Sequence, residues 1–459
     1  MKRALLALTS AAALSACNMA PHYVRPAPPV PASFPSGQAY APTVATEKPG
    51  LPWTALVGDQ RLRTVIERAL ANNRDLRAAL ANVETARAQY RVQRAAQLPA
   101  VTGEAAASFI RRNDDRQNSY SADIGFSAFE IDLFGRVKNL TRSALESYLA
   151  TEEGARATRI TLIAETASAY ATLAADQELL ALSRQTLTST ERTLALTRSL
   201  NSAGLIGKLD VHQAETTVEQ ARSDIAATIT QVAQDRNALD LLVGAPVEDA
   251  LLPQSLQELT GSVAKVPAGL SSNVLLQRPD VLQAEHQLKA ANADIGAARA
   301  AMFPKISLTA AIGVASSALS SLFTGGGFAW SAAPSATMPI FGGGARGNLD
   351  YSKAQRDISL AQYEKAIQTA FQEVSDALAR EGTIDDQQAA QQRLVLASQR
   401  SYTLAEERYR AGIDTFLNSL TSQRSLYNAQ QSAIATNLTL IRNRILLYRV
   451  IGADFASGR

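Results

Sequence analysis

One stretch of the sequence, Arg136 to Ala203, constrains the fold more than any other. It contains no proline and a single glycine, Gly154, and most of its residues are good or middling helix formers. A leucine recurs in it every seven residues, at Leu173, Leu180, Leu187 and Leu194. Such a heptad repeat predicts a helix packed in a left-handed supercoil. About 68 residues give a helix of roughly 100 Å, so other helices must cover it along its length.

The sequence is also a tandem duplication with an offset of about 206 residues. Four short motifs recur in the same order in both halves: Leu98-Pro99 with Phe303-Pro304, Leu133-Phe134-Gly135 with Ile340-Phe341-Gly342, Ala203-Gly204-Leu205 with Ala411-Gly412-Ile413, and Leu242-Val243-Gly244 with Val450-Ile451-Gly452. We therefore predict two repeats, residues 62–244 and 274–452. A linker at 245–273 joins them, and a tail at 453–459 follows.

Each repeat is predicted to contain a leading helix, a β-hairpin, a long helix and a returning helix. In the first repeat these are residues 62–97, 101–131, 136–203 and 210–243, and in the second they are residues 274–302, 305–340, 348–411 and 418–450. A proline ends each leading helix, and alternating apolar residues mark the strands. Polar residues predict a turn from Asn113 to Asn118 in the first hairpin. The fold class is therefore mainly α, with four strands per chain.

The N-terminus has the features of a targeting segment. Lys2 and Arg3 precede an apolar run, 4–14, which is too short to span a membrane and is typical of a secretory signal. The run leads into Leu14-Ser15-Ala16-Cys17, which is similar to a bacterial lipobox. That similarity implies a signal peptide at 1–16 and lipid attachment at Cys17; the alternative is an ordinary signal with a chance cysteine. Residues 17–61 follow as a Pro-rich arm, expected to run extended along the body.

Composition excludes several classes of function. The net charge of +3 is small for 459 residues and gives no indication of a nucleic-acid partner. The one cysteine and three widely spaced histidines offer no predicted metal or catalytic site. The sequence also lacks the HExxH, CxxC and GxSxG motifs. We therefore expect no enzyme activity and no cofactor.

The two hairpins pose a problem of closure, because four strands leave open edges and a membrane barrel needs roughly eight strands or more. Three chains would supply twelve strands. Aromatic residues cluster in and near the strands, as the interfacial belts of a membrane barrel require: Phe109, Tyr120, Phe126, Phe129, Phe134, Phe303, Phe328, Trp330 and Phe341. The sequence thus favours a homotrimer with a shared barrel, while a core-packed sandwich is the alternative.

Together these features resemble the TolC-like outer-membrane efflux family, most closely its OprM-type lipoprotein branch. The most specific segments are the two glycine-containing connections between helices, 203–211 and 409–417. The resemblance implies a homotrimer with a twelve-stranded barrel in the outer membrane, continued by a periplasmic α-helical barrel. It also implies a passive exit duct for drugs or other toxic solutes, lipid-anchored and opened by a periplasmic adaptor and an inner-membrane RND-type transporter.

The resemblance assigns a periplasmic gate to Asp210, Tyr409 and Asp414. Carboxylates repeated around a threefold axis repel one another and attract cations. A Tyr–Asp hydrogen bond between neighbouring helices is worth about 1.5–3 kcal/mol, which suits a releasable latch. Asp210 is alternatively the N-cap of its helix, and Asp414 is alternatively a turn residue. The predicted adaptor contacts are Gly204, Leu205, Gly412 and Ile413.

Two other functions stay open at this point. The first is an outer-membrane channel for type I protein secretion, although the lipobox is unusual for such channels. The second is a structural coiled-coil lipoprotein, which would not need the strands or the duplication.

Overall fold

The computed structural model describes residues 18–40, 52–112, 115–265, 271–324, 327–341 and 343–451. The predicted signal peptide, Cys17 and the tail at 453–459 lie outside these residues. The helices are α1 Trp53–Leu56, α2 Gln60–Asn72, α3 Arg74–Ala95, α4 Arg136–Ser202, α5 Lys208–Val243, α6 Leu256–Ser262, α7 Pro279–Ala300, α8 Ala345–Arg410 and α9 Phe416–Ile451. The strands are β1 Thr102–Arg112, β2 Asp115–Ile131, β3 Lys305–Ser316 and β4 Gly327–Thr337. Short 3₁₀ helices occupy Asp249–Leu251, Ser272–Gln277 and Leu319–Ser321.

The chain forms two compact units that interleave along the sequence. The first contains the described residues of 1–28, 80–154 and 282–366, and it includes the whole sheet. The second contains the described residues of 29–79, 155–281 and 367–459. Each long helix therefore contributes to both units.

The long helices α4 and α8 are unbroken over 67 and 66 residues, as the absence of proline predicts. In the second unit, α4 buries one face in a large apolar core that includes Ile163, Tyr170 and Leu173. The Tyr170 hydroxyl donates to the carbonyl of Leu251 in the linker at 2.9 Å, so the linker packs on this helix. No helix in the described part of the chain is both long and apolar enough to cross a bilayer.

The four strands form one antiparallel sheet in the order β1-β2-β3-β4. The pairs Thr102↔Gly125, Phe126↔Ala310 and Lys305↔Thr337 set the register. A bulge interrupts β2 between Phe126 and Phe129, where Ala128 has a φ of 51°. Within the described residues, β1 and β4 have strand partners on one side only, so the sheet has two open edges. The four-strand prediction is confirmed.

The structure corrects the predicted first leading helix, 62–97. Asn73, with a ψ of 133°, separates α2 from α3. Its side-chain amide donates to the carbonyl of Leu242 at 2.9 Å, and its side-chain oxygen accepts from the backbone N–H of Leu76. Asparagine is only mildly unfavourable inside a helix, so the break is stabilised by the capping bond from Leu76 together with the tertiary contact with Leu242.

Three smaller differences have local causes. The second leading helix, predicted at 274–302, begins as a 3₁₀ helix and becomes α-helical only at Pro279, a residue suited to the first helical position. Strand pairing continues to Arg112↔Asp115, so most of the predicted turn 113–118 is strand, because ladder hydrogen bonds tolerate polar side chains. The predicted arm contains α1 near its end, where Trp53 and Leu56 are buried.

Candidate functional site

The first connection between long and returning helices, the first turn (203–207), is a Schellman motif. Gly204 has a φ of +74°, a conformation that glycine adopts without steric cost. The N–H of Leu205 donates to the backbone carbonyl of Leu200 at 3.0 Å, and the N–H of Gly204 donates to the backbone carbonyl of Asn201 at 2.9 Å. These bonds satisfy the last carbonyls of α4.

The second turn (411–415) repeats this geometry. Gly412 has a φ of +70°. The N–H of Ile413 donates to the backbone carbonyl of Arg408 at 2.9 Å, and the N–H of Gly412 donates to the backbone carbonyl of Tyr409 at 2.9 Å. Both turns therefore use the same hydrogen bonds to reverse a long helix.

Tyr409 lies in an apolar cluster beside the turns, the tip cluster, which contains Leu194, Ala214, Val218, Tyr409, Phe416 and Leu420. Its ring centroid is 5.4 Å from that of Phe416, and only 6% of the residue is exposed. The tyrosine hydroxyl is buried and has no hydrogen-bond partner among the described residues. A single chain therefore does not form the expected Tyr–Asp bond, and the hydroxyl is left unsatisfied.

Asp210 is not the N-cap of the returning helix, so that alternative is wrong. Gly207 is the cap and α5 begins at Lys208, two residues earlier than predicted, because Gly207 takes an extended conformation with a ψ of 160°. Asp210 is thus the third residue of the helix, where the positive end of the helix dipole favours a carboxylate.

Asp414 has a dense set of donors. It accepts from the backbone N–H of Thr415 at 2.8 Å, from the Asn418 amide at 2.5 Å and from Nε of Arg408 at 3.3 Å. These hydrogen bonds hold the pKa of Asp414 below its ordinary value, and the bond from the backbone N–H of Thr415 makes the largest contribution. The structure therefore places the Asp414 carboxylate within the second turn, held by three hydrogen-bond donors.

The predicted contact residues Leu205 and Ile413 are exposed, at 70% and 66%. The sequence analysis missed two further aliphatic residues, Leu209 and Leu417, which are exposed at 68% and 56%. Leu209 follows Leu205 by four residues, and Leu417 follows Ile413 by four, so each leucine lies five residues after the glycine of its turn. This shared spacing is the sequence signal that could have identified them.

The first turn also carries an ion network that sequence reasoning missed. Nη2 of Arg198 lies 2.9 Å from Oε1 of Glu215, and Nδ1 of His212 lies 3.0 Å from Oε2. These side chains join α4 to α5 on the solvent side. Within the described ranges, no group of His, Cys, Asp and Glu has the arrangement of a metal site.

Comparison of the sequence with known proteins identifies one family. Residues 65–245 and 270–453 match the family described as "Outer membrane efflux protein". The probable efflux pump outer membrane protein TtgC of Pseudomonas putida is 46% identical, with 99% of this chain and 96% of that protein aligned. Outer membrane protein OprJ of Pseudomonas aeruginosa is 41% identical over 99% of this chain and 96% of its own length.

A solved structure has the same fold. The open state of the MtrE outer membrane channel of Neisseria gonorrhoeae superposes with a TM-score of 0.87 at 35% sequence identity. The match covers 96% of this chain and 99% of that chain. The two family segments coincide with the two repeats of the sequence.

Proposed function

Because the chain belongs to the outer membrane efflux protein family, we propose that it is the outer-membrane channel of a tripartite efflux system. It is the exit duct through which drugs or other small toxic solutes leave a Gram-negative cell. The relatives TtgC and OprJ carry names of efflux and outer-membrane proteins, which favours efflux over protein secretion or a purely structural role. The duct is passive and has no catalytic residue or cofactor.

The observation that carries this proposal is the four-stranded sheet with two open edges. Several of its large apolar side chains are exposed, including Phe109 at 60%, Phe328 at 69% and Trp330 at 72%. An open, apolar sheet is prone to aggregate in water. In a bilayer, closure is required because unpaired backbone groups cannot be hydrated there.

Closure by three copies satisfies both requirements. In this arrangement β4 of one copy pairs with β1 of the next, and twelve strands form one barrel. The long and returning helices of the three copies then surround a continuous duct in the periplasm. The chain is thus a homotrimer in the outer membrane, with lipid on Cys17 as a second membrane attachment.

The turns are the periplasmic end of the duct and its gate. Asp210 and Asp414, repeated threefold, place carboxylates around the axis, and Tyr409 offers a buried hydroxyl to a neighbouring helix. A periplasmic adaptor contacts the exposed tips at Gly204, Leu205, Gly412 and Ile413. An inner-membrane RND-type transporter drives export through the opened gate.

The function is tested by conductance and by drug susceptibility. The purified protein should form ion-conducting channels in planar bilayers, and deletion of the gene should lower the minimum inhibitory concentration of exported compounds. A matched strain expressing the wild-type chain should restore resistance. A protein that inserts without conductance and whose loss leaves susceptibility unchanged would contradict the proposal.

The gate is tested by the double variant Asp414→Ala with Tyr409→Phe. Losing a carboxylate and the latching hydroxyl should raise single-channel conductance and let large antibiotics leak into the cell. Thr421→Ala, an exposed change in the first turns of α9, is the control and should leave both readouts unchanged. Unchanged conductance in the double variant would remove the gate assignment.

A further inference from the structure

The N-terminal arm is held along one stripe of α7. The residues of α7 that meet it are Glu285, Lys289, Asn292, Gly296 and Arg299, with helical spacing of 4, 3, 4 and 3. Residues with this spacing lie on one face of a helix. The arm residues they meet run from Arg25 back to Met19, so the arm is antiparallel to the helix.

The stripe begins with a buried carboxylate. Glu285 is 2% exposed and accepts from the Tyr23 hydroxyl at 3.1 Å and from Arg25 at 3.0 and 2.5 Å. Lys289 adds an ion pair at 3.1 Å, and its ammonium lies 5.5 Å from the Tyr23 ring centroid. Burial by itself raises the pKa of Glu285, but hydrogen bonds from Arg25 and Lys289 lower it below its ordinary value.

The rest of the stripe contacts the backbone of the arm. The Asn292 amide donates to the carbonyl of Pro21 at 2.8 Å, and Arg299 donates to the carbonyl of Met19 at 3.2 Å. Between them, a Cβ on Gly296 would lie only 2.7 Å from the backbone of Ala20. The arm therefore touches the helix so closely that only glycine fits.

These contacts fix where the arm leads. From Arg25 to Met19 an extended chain covers about 20 Å. From Glu285 to Arg299 the helix rises about 21 Å, so the two contacting segments have matching lengths. The described part of the arm therefore reaches the C-terminal end of α7 at Met19, two positions after Cys17 in the sequence.

A cavity lies at this end of α7, where β2 and β4 end and β3 begins. Its volume is ≈ 260 Å³, and Ala300, Ala301, Phe303, Pro304, Ile131 and Phe134 supply most of its apolar wall. The rings of Phe134 and Phe303 stack with centroids 4.8 Å apart. Phe303 and Ile131 stay 41% and 38% exposed, so apolar surface at the cavity is left uncovered by this chain.

The charged groups around the cavity are already paired. Glu130 accepts two bonds from Arg136, at 2.8 and 2.6 Å, and lies 3.4 Å from Lys305. Asp132 accepts from the backbone N–H of Lys138 at 2.7 Å. The two cations that line the cavity, Arg136 and Lys305, both pair with Glu130, so the cavity suits a hydrocarbon chain better than a lipid headgroup.

We propose that this cavity seats one acyl chain of the lipid attached to Cys17. The inference rests on the lipid attachment that is part of the proposed function. In this proposal the α7 stripe directs the described end of the arm toward the cavity, and the cavity covers hydrocarbon of the attached lipid.

The test is photo-cross-linking of the full-length protein in its own membrane. Cells incorporate a fatty acid with a terminal diazirine, are irradiated, and the purified protein is digested with trypsin. Cleavage after Arg299 and Lys305 releases residues 300–305, which line the cavity. We expect mass spectrometry to find this peptide joined through an acyl chain to the peptide that begins at Cys17.

Two variants and a control sharpen the test. Ala301→Trp fills the cavity from an exposed position and should lose most of this cross-link. Arg25→Ala weakens the hold on the arm and should reduce the cross-link while Cys17 keeps its lipid. Ala88→Trp places the same side chain on an exposed position of α3 away from the cavity and should leave the cross-link unchanged.

Bulk phospholipid is the competing source of an acyl chain. Cross-linking of 300–305 to phospholipid alone, equal in the wild type and in Cys17→Ser, would overturn the proposal. So would the absence of any cross-link at 300–305 while intact mass shows lipid on Cys17. A missing lipid on Cys17 overturns both this inference and the lipid attachment, and the intact mass tells that case apart.

Discussion

The two turns have the same backbone conformation, but the side chains at the positions of the three gate candidates differ between them. When Gly204 is aligned with Gly412, the buried Tyr409 corresponds to Asn201, whose amide donates to the carbonyl of Ile206 at 2.8 Å. Asp414 corresponds to Ile206, and Asp210 corresponds to Asn418. The two acidic gate candidates therefore occupy non-equivalent positions: Asp414 lies in its turn, whereas Asp210 lies in the first turn of α5.

This difference separates what the turn geometry needs from what the gate needs. The glycines and the two Schellman hydrogen bonds are common to both turns, so they serve chain reversal. The buried ring of Tyr409 and the bound carboxylate of Asp414 are found only at the second turn, and the Arg198–Glu215–His212 network lies only beside the first. We expect the gate to comprise Tyr409 and Asp414 at the second turn and Asp210 at the start of α5, while the network holds α4 to α5.

Tyr409→Ala should cause the largest loss of local stability, and a much larger loss than the substitution of Asn201, its equivalent at the first turn. Removing a buried aromatic side chain costs about 3–5 kcal/mol, whereas Asn201→Ala loses one hydrogen bond worth about 0.5–1.5 kcal/mol. Hydrogen exchange at α8 and α9 near the turn measures the local stability. Equal protection in the two variants would show that the tip cluster does not depend on Tyr409.

Gly204→Ala and Gly412→Ala should lower the stability of the protein by equal amounts, each smaller than the loss in Tyr409→Ala. Each places a Cβ in the left-handed conformation, which costs about 1–2 kcal/mol. No other atom lies within 4 Å of the added Cβ at either site, so the cost is conformational only. Thermal unfolding of the two variants measures it, and a much larger loss at one turn would mean that the backbones are not equivalent.

Asp414 should keep its charge into acid conditions. Its pKa is lowered from 3.8, so its contribution to stability is complete above that pH and is lost only as the pH falls through the lower, folded-state value. Cation selectivity, read as a reversal potential in a salt gradient, should therefore persist from pH 7 to pH 5. Asp414→Asn should reduce selectivity across that range, while Ile206→Val, at the equivalent position of the first turn, should not.

Leu205→Ser and Ile413→Ser should have the smallest effect on stability, within about 0.5 kcal/mol, because both side chains are exposed. Their effect should appear instead in binding to the periplasmic adaptor, measured by cross-linking in cells. Leu209→Ser and Leu417→Ser extend the test to the two exposed leucines that follow at the start of α5 and α9. Adaptor cross-linking that all four variants leave intact would exclude the aliphatic tips as the contact.

The periodic parts of the fold could be predicted from the sequence. The absence of proline and the position of Gly204 and Gly412 defined α4 and α8 to within three residues at each end. Alternating apolar residues located the strands, since their pleat repeats every two residues. The duplication predicted that both halves would contain the same elements.

The rest depends on contacts between residues far apart in sequence. The break at Asn73 requires the carbonyl of Leu242, and the seat of the arm requires Glu285. The burial of Tyr409 requires Phe416 and Leu194 to meet in one cluster. None of these residues has an unusual local pattern, so propensity and periodicity alone could not identify them.

Native mass spectrometry of the protein extracted from outer membranes tests the central claim most directly. One chain supplies four strands with two open edges, so the account predicts a species of three chains, each carrying lipid on Cys17. A dominant monomer or dimer that is stable without detergent would contradict it.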